Sequence, residues 1–216
     1  MHNGLMKYNL LEKELKKRLK FQYNWQRSQT DEFDKKTNFI YKTTSLESLL
    51  STIEINFKDN FQYNSLKNYA LNRWYNFWSA KAVEHIFCEH KNVNAHPDSY
   101  NKYTDFFINE IPFDHKTTVF PKGFKKSVPY AIEHKNELIE WLYKNQSQQQ
   151  RKHFKNRIFL VLVNYENENE HWKLKAEINW LKKIISTYLI KFEPSKLHSF
   201  YFENEIVKAD IIWAIK

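Results

Sequence analysis

Two aspartates and a lysine within residues 103–120 are the side chains whose types and spacing could do chemistry. Asp105 lies in the first of two apolar runs that predict a β-hairpin, and Asp114 lies in the second, two residues before Lys116. Because side chains alternate along a strand, Asp114 and Lys116 are expected on one face and His115 on the other. Two carboxylates and a lysine together can hold a divalent cation and organise a water beside it, as in a phosphodiester-cleaving metal site.

The acid-x-Lys pattern alone has a plainer interpretation, because the same spacing recurs in polar or helical stretches of the chain. In those stretches it indicates solvated faces or turns, and an edge hairpin could likewise carry Asp114 and Lys116 as an ordinary surface pair. What sets this pair apart is its strand-like surroundings and the second acid, Asp105, among aromatic residues. The other instances are Glu14/Lys16, Asp34/Lys36, Glu89/Lys91 and Glu133/Lys135.

Composition limits the function classes. A chain of 216 residues with 42% apolar and 17% aromatic residues is long enough to bury a sizeable core. It has only two glycines, Gly4 and Gly123, so a glycine-rich loop for nucleotide phosphates is excluded. The single cysteine, Cys88, excludes an internal disulfide framework. Together with the lack of a long apolar run, this predicts a protein of the cytoplasm that does not enter a membrane.

The net charge of +9 favours a polyanionic partner. Two acid-free stretches follow the predicted hairpin, and aromatic residues interrupt both of them. Lysines and arginines there could contact phosphates while the aromatic rings stack on bases, which predicts a nucleic acid, with DNA favoured, as the partner. The alternative is a set of solvated loops and helix faces. The predicted contact residues are Lys122, Lys125, Lys126, Arg151, Lys152 and Lys155.

Hydrophobic periodicity predicts the elements that must position these residues. Helices are expected at 5–27, 44–57 with a Thr44–Glu47 capping box, 65–89, from Pro129 onward, and 170–191. An extended stretch is expected at 38–42, and strands at 103–109, 112–119, 157–165, 198–203 and 205–214. The expected class is α/β with α+β character: a central mixed sheet flanked by helices, preceded by a helical region. The predicted domains are this accessory region (1–60) and a core (61–216).

A long helix, a hairpin with Asp105 in one strand and Asp114-x-Lys116 in the next, and a helix crossing to a buried strand resemble the core of the PD-(D/E)xK nuclease superfamily. The resemblance covers about half of the chain in element order, and its specific part is three residues. Thr104 precedes the first acid, where the family often has proline, and Asp114 stands where glutamate is commoner. The resemblance implies a restriction-endonuclease-like fold and Mg²⁺-dependent or Mn²⁺-dependent hydrolysis of DNA.

The resemblance also implies roles for individual residues. Asp105, Asp114 and the main-chain carbonyl of His115 would hold the metal, and Lys116 would activate the attacking water and offset negative charge. Glu84 in the preceding helix is the candidate for a further acid, although it could equally pair with Lys81 on a solvated face. The His115 ring is expected to pack inside rather than act as a base.

Other functions remain open on the sequence alone. The same fold could serve as a non-catalytic nucleic-acid-binding module, or as a subunit that binds a protein partner through its aromatic surface. Cleavage of both DNA strands would require a homodimer or paired sites. The pathway could be restriction, phage defence, repair or the processing of mobile elements.

Overall fold

The computed structural model describes residues 7–24, 31–98, 101, 103–145, 154–202 and 205–216. Its described residues divide into two compact units. The first extends to Ala82 and includes Lys175–Asn179, and the second takes in the rest of the described chain from Val83 onward. The division falls inside helix α4 (Tyr63–Cys88). The domain boundary predicted between residues 60 and 61 stays a prediction.

The first unit is helical, with α1 (Tyr8–Arg18), α2 (Asp31–Lys36), α3 (Leu46–Phe57) and most of α4. Helix α1 is shorter than the predicted 5–27. Its last residue, Arg18, turns inward and donates to the carbonyls of Phe21 and Gln22, which hold the chain after the helix. The extended stretch predicted at 38–42 is wrong, because Asn38–Tyr41 forms a 3₁₀ turn that buries Ile40.

The second unit is built on a mixed sheet. Six strands are found in the described part of the chain: β1 (Val93–Ala95), β2 (Phe106–Ile108), β3 (Ile111–Val119), β4 (Arg157–Val163), β5 (His198–Phe202) and β6 (Glu205–Ile215). Their order across the sheet is β1-β2-β3-β4-β6-β5. Strand β4 is parallel to both β3 and β6, and the other neighbours are antiparallel. The expected α/β class, with a mixed sheet and flanking helices, is confirmed.

The β2–β3 hairpin turns at Asn109 and Glu110, both with positive φ (46° and 68°), as a two-residue hairpin requires. The sequence predicts a longer connection, Asn109–Pro112, but the turn is confined to the first two of these residues, and Pro112 lies within β3 opposite Phe107. Ile108 and Ile111 form the pair next to the turn, and Pro112 belongs to the following pair. The N–H that proline lacks would therefore point away from β2. Proline is therefore tolerated inside this strand.

Helices α5 (Val128–Glu133) and α6 (Lys135–Asn145) cross from β3 to β4 and cover one face of the sheet. The single helix predicted from Pro129 breaks at His134, whose backbone leaves the helical region. The core on this face is formed by the apolar side of both helices and alternate residues of β4 and β6. These include Ala131, Leu138, Leu142, Phe159, Val161 and Ile211.

The segment predicted as one helix over 170–191 is a 3₁₀ helix, Glu168–Ala176, followed by α7 (Ile178–Ile190). The opposite face of the sheet carries a row of aromatic rings. Phe87, at the end of α4, stacks on Phe106 with 4.6 Å between ring centroids, and Phe113 meets Phe192 edge-to-face at 6.1 Å. These rings pack against the start of β3 on this face.

Candidate active site

Asp114 lies near the start of the parallel region of the sheet, directly opposite Arg157 in β4. Its side chain is 8% exposed, and its Oδ2 atom accepts a hydrogen bond from Arg157 Nε at 2.8 Å. The guanidinium also lies over the ring of Tyr143 in α6, 5.1 Å from its centroid. This ion pair therefore belongs to the face covered by α5 and α6.

Lys116 lies on the same side of β3 as Asp114, as strand alternation predicts. Its Nζ atom donates to Asp114 Oδ1 at 2.8 Å, and 47% of its side chain is exposed. Each oxygen of Asp114 thus faces its own cation, Arg157 on the inner side and Lys116 on the outer side. This arrangement compensates the buried carboxylate, which would otherwise be costly to desolvate.

Asp105 immediately precedes β2 and meets different partners. Its N–H donates to the carbonyl of Phe113, and its Oδ2 accepts both the main-chain N–H of His115 at 2.8 Å and a contact from the His115 ring Nδ1 at 2.9 Å. The carboxylate thereby accepts the N–H of β3 that a strand carbonyl would otherwise accept, at the position just before β2. Burial by itself would raise the pKa of Asp105, but the hydrogen bonds and charge of His115, followed by the charge of Lys116, hold that pKa at about 2.

The His115 ring lies on the aromatic face, with 6.0 Å between its centroid and those of Phe87 and Phe106. The expectation that this ring packs inside, away from Asp114, is confirmed. Its contact with Asp105 is a role that strand alternation alone did not indicate. Since a strand residue directs its N–H and C=O to the same side, the carbonyl of His115 is directed toward the edge where Asp105 lies.

Asp105, Asp114 and Lys116 therefore lie around one peptide of β3, at the point where β2 begins. Glu84 lies in the final turns of α4. Among the described residues, no group of three or more histidine, cysteine, aspartate or glutamate side chains is arranged to hold a metal ion. The role of Glu84 as a further ligand remains a prediction.

The predicted nucleic-acid contacts lie further along the chain. Lys122, Lys125 and Lys126 are in the loop after β3: Lys122 Nζ donates to Asn169 Oδ1 at 2.7 Å, and Lys126 lies 5.0 Å from the ring centroid of Tyr130. Lys155 forms an exposed ion pair with Glu205 at 3.0 Å. Arg151 and Lys152 lie outside the described residues.

Arg157 is the site residue that the sequence did not reveal. It opens the most apolar strand of the chain, and its place beside Asp114 depends on a parallel register between residues 43 positions apart. Tyr143, which supports it, donates its hydroxyl to the Lys155 carbonyl at 2.7 Å. Burial raises the pKa of Tyr143, so this hydroxyl stays protonated and keeps the ring fixed under Arg157. The only signal for Arg157 that the sequence offered was its position as a charged residue at the start of a buried strand.

Comparison with known proteins identifies no relative. No family model matches the chain, and no curated protein and no solved structure matches it either. Within the part of the chain that the structure describes, no helix has both the length and the apolar character needed to cross a membrane. Any proposal about function must therefore rest on the residues of this chain and their arrangement.

The types of ligand atom at this site, carboxylate and carbonyl oxygens, suit a hard divalent cation. Asp105 and Asp114 offer carboxylate oxygens and His115 a carbonyl at the same edge, and such oxygens are the ligands that Mg²⁺ and Mn²⁺ prefer. What differs from a ready-made metal centre is the charge balance around Asp114. Lys116 and Arg157 already supply the positive charge there, so an ion would have to replace one of them.

Proposed function

We propose that the protein is a metal-dependent nuclease that hydrolyses DNA phosphodiesters through Asp105, Asp114 and Lys116. The observation that carries this proposal is the meeting of these residues at one edge of β3. Asp105 accepts the N–H of the residue between Asp114 and Lys116, and Lys116 pairs with Asp114. The element order also supports it: a long helix, a hairpin that carries both acids, a helical crossover and a parallel strand come in the order that the resemblance to a restriction-endonuclease-like core implies.

The residues divide the work between them. Asp105 and Asp114, with the His115 carbonyl, would hold a divalent cation, and a bound Mg²⁺ or Mn²⁺ supplies Lewis acidity and lowers the pKa of a coordinated water. The half-exposed ammonium of Lys116 can turn from Asp114 toward a phosphate and offset the negative charge that develops there. Arg157 and Tyr143 hold Asp114 from the inner side.

Cleavage assays test this proposal. Supercoiled, linear and single-stranded DNA, together with RNA, would be incubated with Mg²⁺ or Mn²⁺ and with wild type, Asp114→Ala or Lys116→Ala. We expect metal-dependent cleavage by wild type and a loss of about 100-fold or more in each variant, because Asp114→Ala removes a proposed ligand of the cation and Lys116→Ala removes the charge that would act at the phosphate. Lys135→Ala is the matched control, since Lys135 pairs with Asp210 at 2.8 Å elsewhere in the same unit. Cleavage by the two site variants at the wild-type rate would show that this edge is not the active site.

One observation favours a second candidate, a nucleic-acid-binding module without catalysis. Both oxygens of Asp114 are held by cations of the protein itself, which is the arrangement of a structural ion pair as well. Binding of DNA without cleavage of any substrate, unchanged by Asp114→Ala in a folded protein, would favour this second candidate.

A further inference from the structure

The two cations on Asp114 differ in how firmly they are held. Lys116 is 47% exposed and reaches Asp114 with a flexible stem, whereas the side chain of Arg157 is 12% exposed. Arg157 is also fixed by its register opposite Asp114 and by the ring of Tyr143 beneath its guanidinium. Lys116 can therefore leave Asp114 at little cost, but Arg157 stays beside it.

Asp114 cannot serve a divalent cation and Arg157 equally well. Its Oδ2 atom accepts a 2.8 Å hydrogen bond from Arg157 Nε, and the positive guanidinium repels a second positive charge placed at either oxygen of the same carboxylate. This repulsion is weakly screened because Asp114 is buried and little of the Arg157 side chain is exposed.

Resting on the proposed function, we infer that Arg157 is a built-in competitor of the divalent cation for Asp114. The Arg157–Asp114 pair then sets the metal affinity of the site and keeps Asp114 compensated when no ion is bound. Arg157 is the competitor and Lys116 is not, because the exposed side chain of Lys116 can move away from Asp114.

Mn²⁺ binding measured by calorimetry, without any nucleic acid, tests this inference. Arg157→Gln removes the charge but keeps a polar side chain, and we expect it to bind Mn²⁺ about tenfold more tightly than wild type, the scale on which groups around metal ligands act. Arg157→Lys keeps the charge and should stay near the wild-type affinity. Lys135→Gln, which breaks the comparable Lys135–Asp210 pair, should leave Mn²⁺ binding unchanged.

The outcomes separate this inference from the proposed function. Equal or weaker binding in Arg157→Gln, with binding lost in Asp114→Asn, would overturn the competitor role and leave the metal site standing. Absence of Mn²⁺ binding in every folded variant would overturn both. If Arg157→Gln is unstable, the rise in Tm on adding Mn²⁺ gives the same comparison, because an ion that binds only the folded state stabilises it by mass action. A rise no greater than that of wild type counts against the competitor role.

Discussion

At the scale of single residues, Asp105 shows how a partly buried acid can be held in its charged form chiefly by one neighbour. His115 donates its main-chain N–H to Asp105 Oδ2, and its ring Nδ1 lies 2.9 Å from the same oxygen. Hydrogen bonds to a carboxylate favour its ionised state, so the pKa of Asp105 falls to about 2 although burial opposes the fall. The interaction joins the start of β2 to the middle of β3, so Asp105 serves both the candidate site and the strand pairing.

The low pKa of Asp105 predicts a specific loss of stability in acid. The folded pKa, about 2, lies below the ordinary value of 3.8, so unfolding takes up a proton between these values. The contribution of Asp105 is therefore complete above about pH 4 and is lost as the pH falls toward 2, up to about 2 kcal/mol. Urea unfolding of wild type and Asp105→Asn from pH 7 to pH 2 should show a shallower pH dependence in the variant. Glu140→Gln, an exposed acid on α6, should follow wild type, and parallel curves for wild type and Asp105→Asn would contradict the prediction.

A second prediction at the residue scale concerns the effect of replacing Gly123 on stability. A Cβ atom at this position would lie 2.9 Å from Cζ2 of Trp141, closer than such atoms approach. The Trp141 ring packs edge-to-face against Phe124, so moving it disturbs the packing of the loop on α6. Gly123→Ala should lower the free energy of unfolding by about 1–2 kcal/mol. Lys125→Ala in the same loop is the control and should change stability by less than about 0.5 kcal/mol. Equal stability of both variants would mean that Trp141 yields without cost.

At the scale of elements, hydrophobic periodicity predicted those strands and helices whose signal lies in residues close together in the sequence. The strands β4, β5 and β6 agree with their predicted ranges to within about two residues, because apolar runs and alternation carry that information locally. Strand β1 was missed, since Val93–Ala95 is three residues long and only Val93 is buried. The break at His134 was missed because both sides of it continue the same apolar face.

The start of α3 shows how a local signal can mislead by one residue. The sequence predicted a capping box from Thr44 to Glu47, but Ser45 is the N-cap and its side chain accepts the N–H of Ser48. We expect Ser45→Ala to lower the free energy of unfolding by about 1 kcal/mol and Thr44→Ala to have little effect. Chemical denaturation of the two single variants measures the difference. A larger loss in Thr44→Ala would restore the predicted capping box.

At the scale of the whole molecule, the candidate site is predictable only in part. Asp105, Asp114 and Lys116 are near in sequence, so a hairpin is enough to bring them together. Arg157 and Tyr143 join them through a helical crossover and a parallel register, which no local pattern determines. The sequence thus indicated the acids and the lysine, while the second cation on Asp114, Arg157, emerged only from the tertiary arrangement.

The last prediction concerns the excess of positive charge. It distinguishes binding of DNA phosphates by particular lysines from a general effect of the net charge of the protein. If Lys122, Lys125 and Lys126 neutralise phosphates, changing all three to Gln should reduce the slope of log K against log salt for duplex DNA by about 0.9 for each phosphate that is no longer neutralised. A matched control changes Lys36, Lys144 and Lys196 to Gln. Each of these pairs with an acid three or four residues away, and the net charge falls by the same amount.

Binding of both triple variants and wild type would be measured by fluorescence anisotropy at several salt concentrations, with EDTA present to prevent cleavage. We expect the loop variant to show a smaller slope and a lower affinity and the control to stay close to wild type, since its lysines already meet carboxylates. Equal reductions in both variants would mean that DNA responds to the overall charge of the protein. The loop after β3 would then have no special part in binding, and the phosphate-binding residues would have to be sought on another surface.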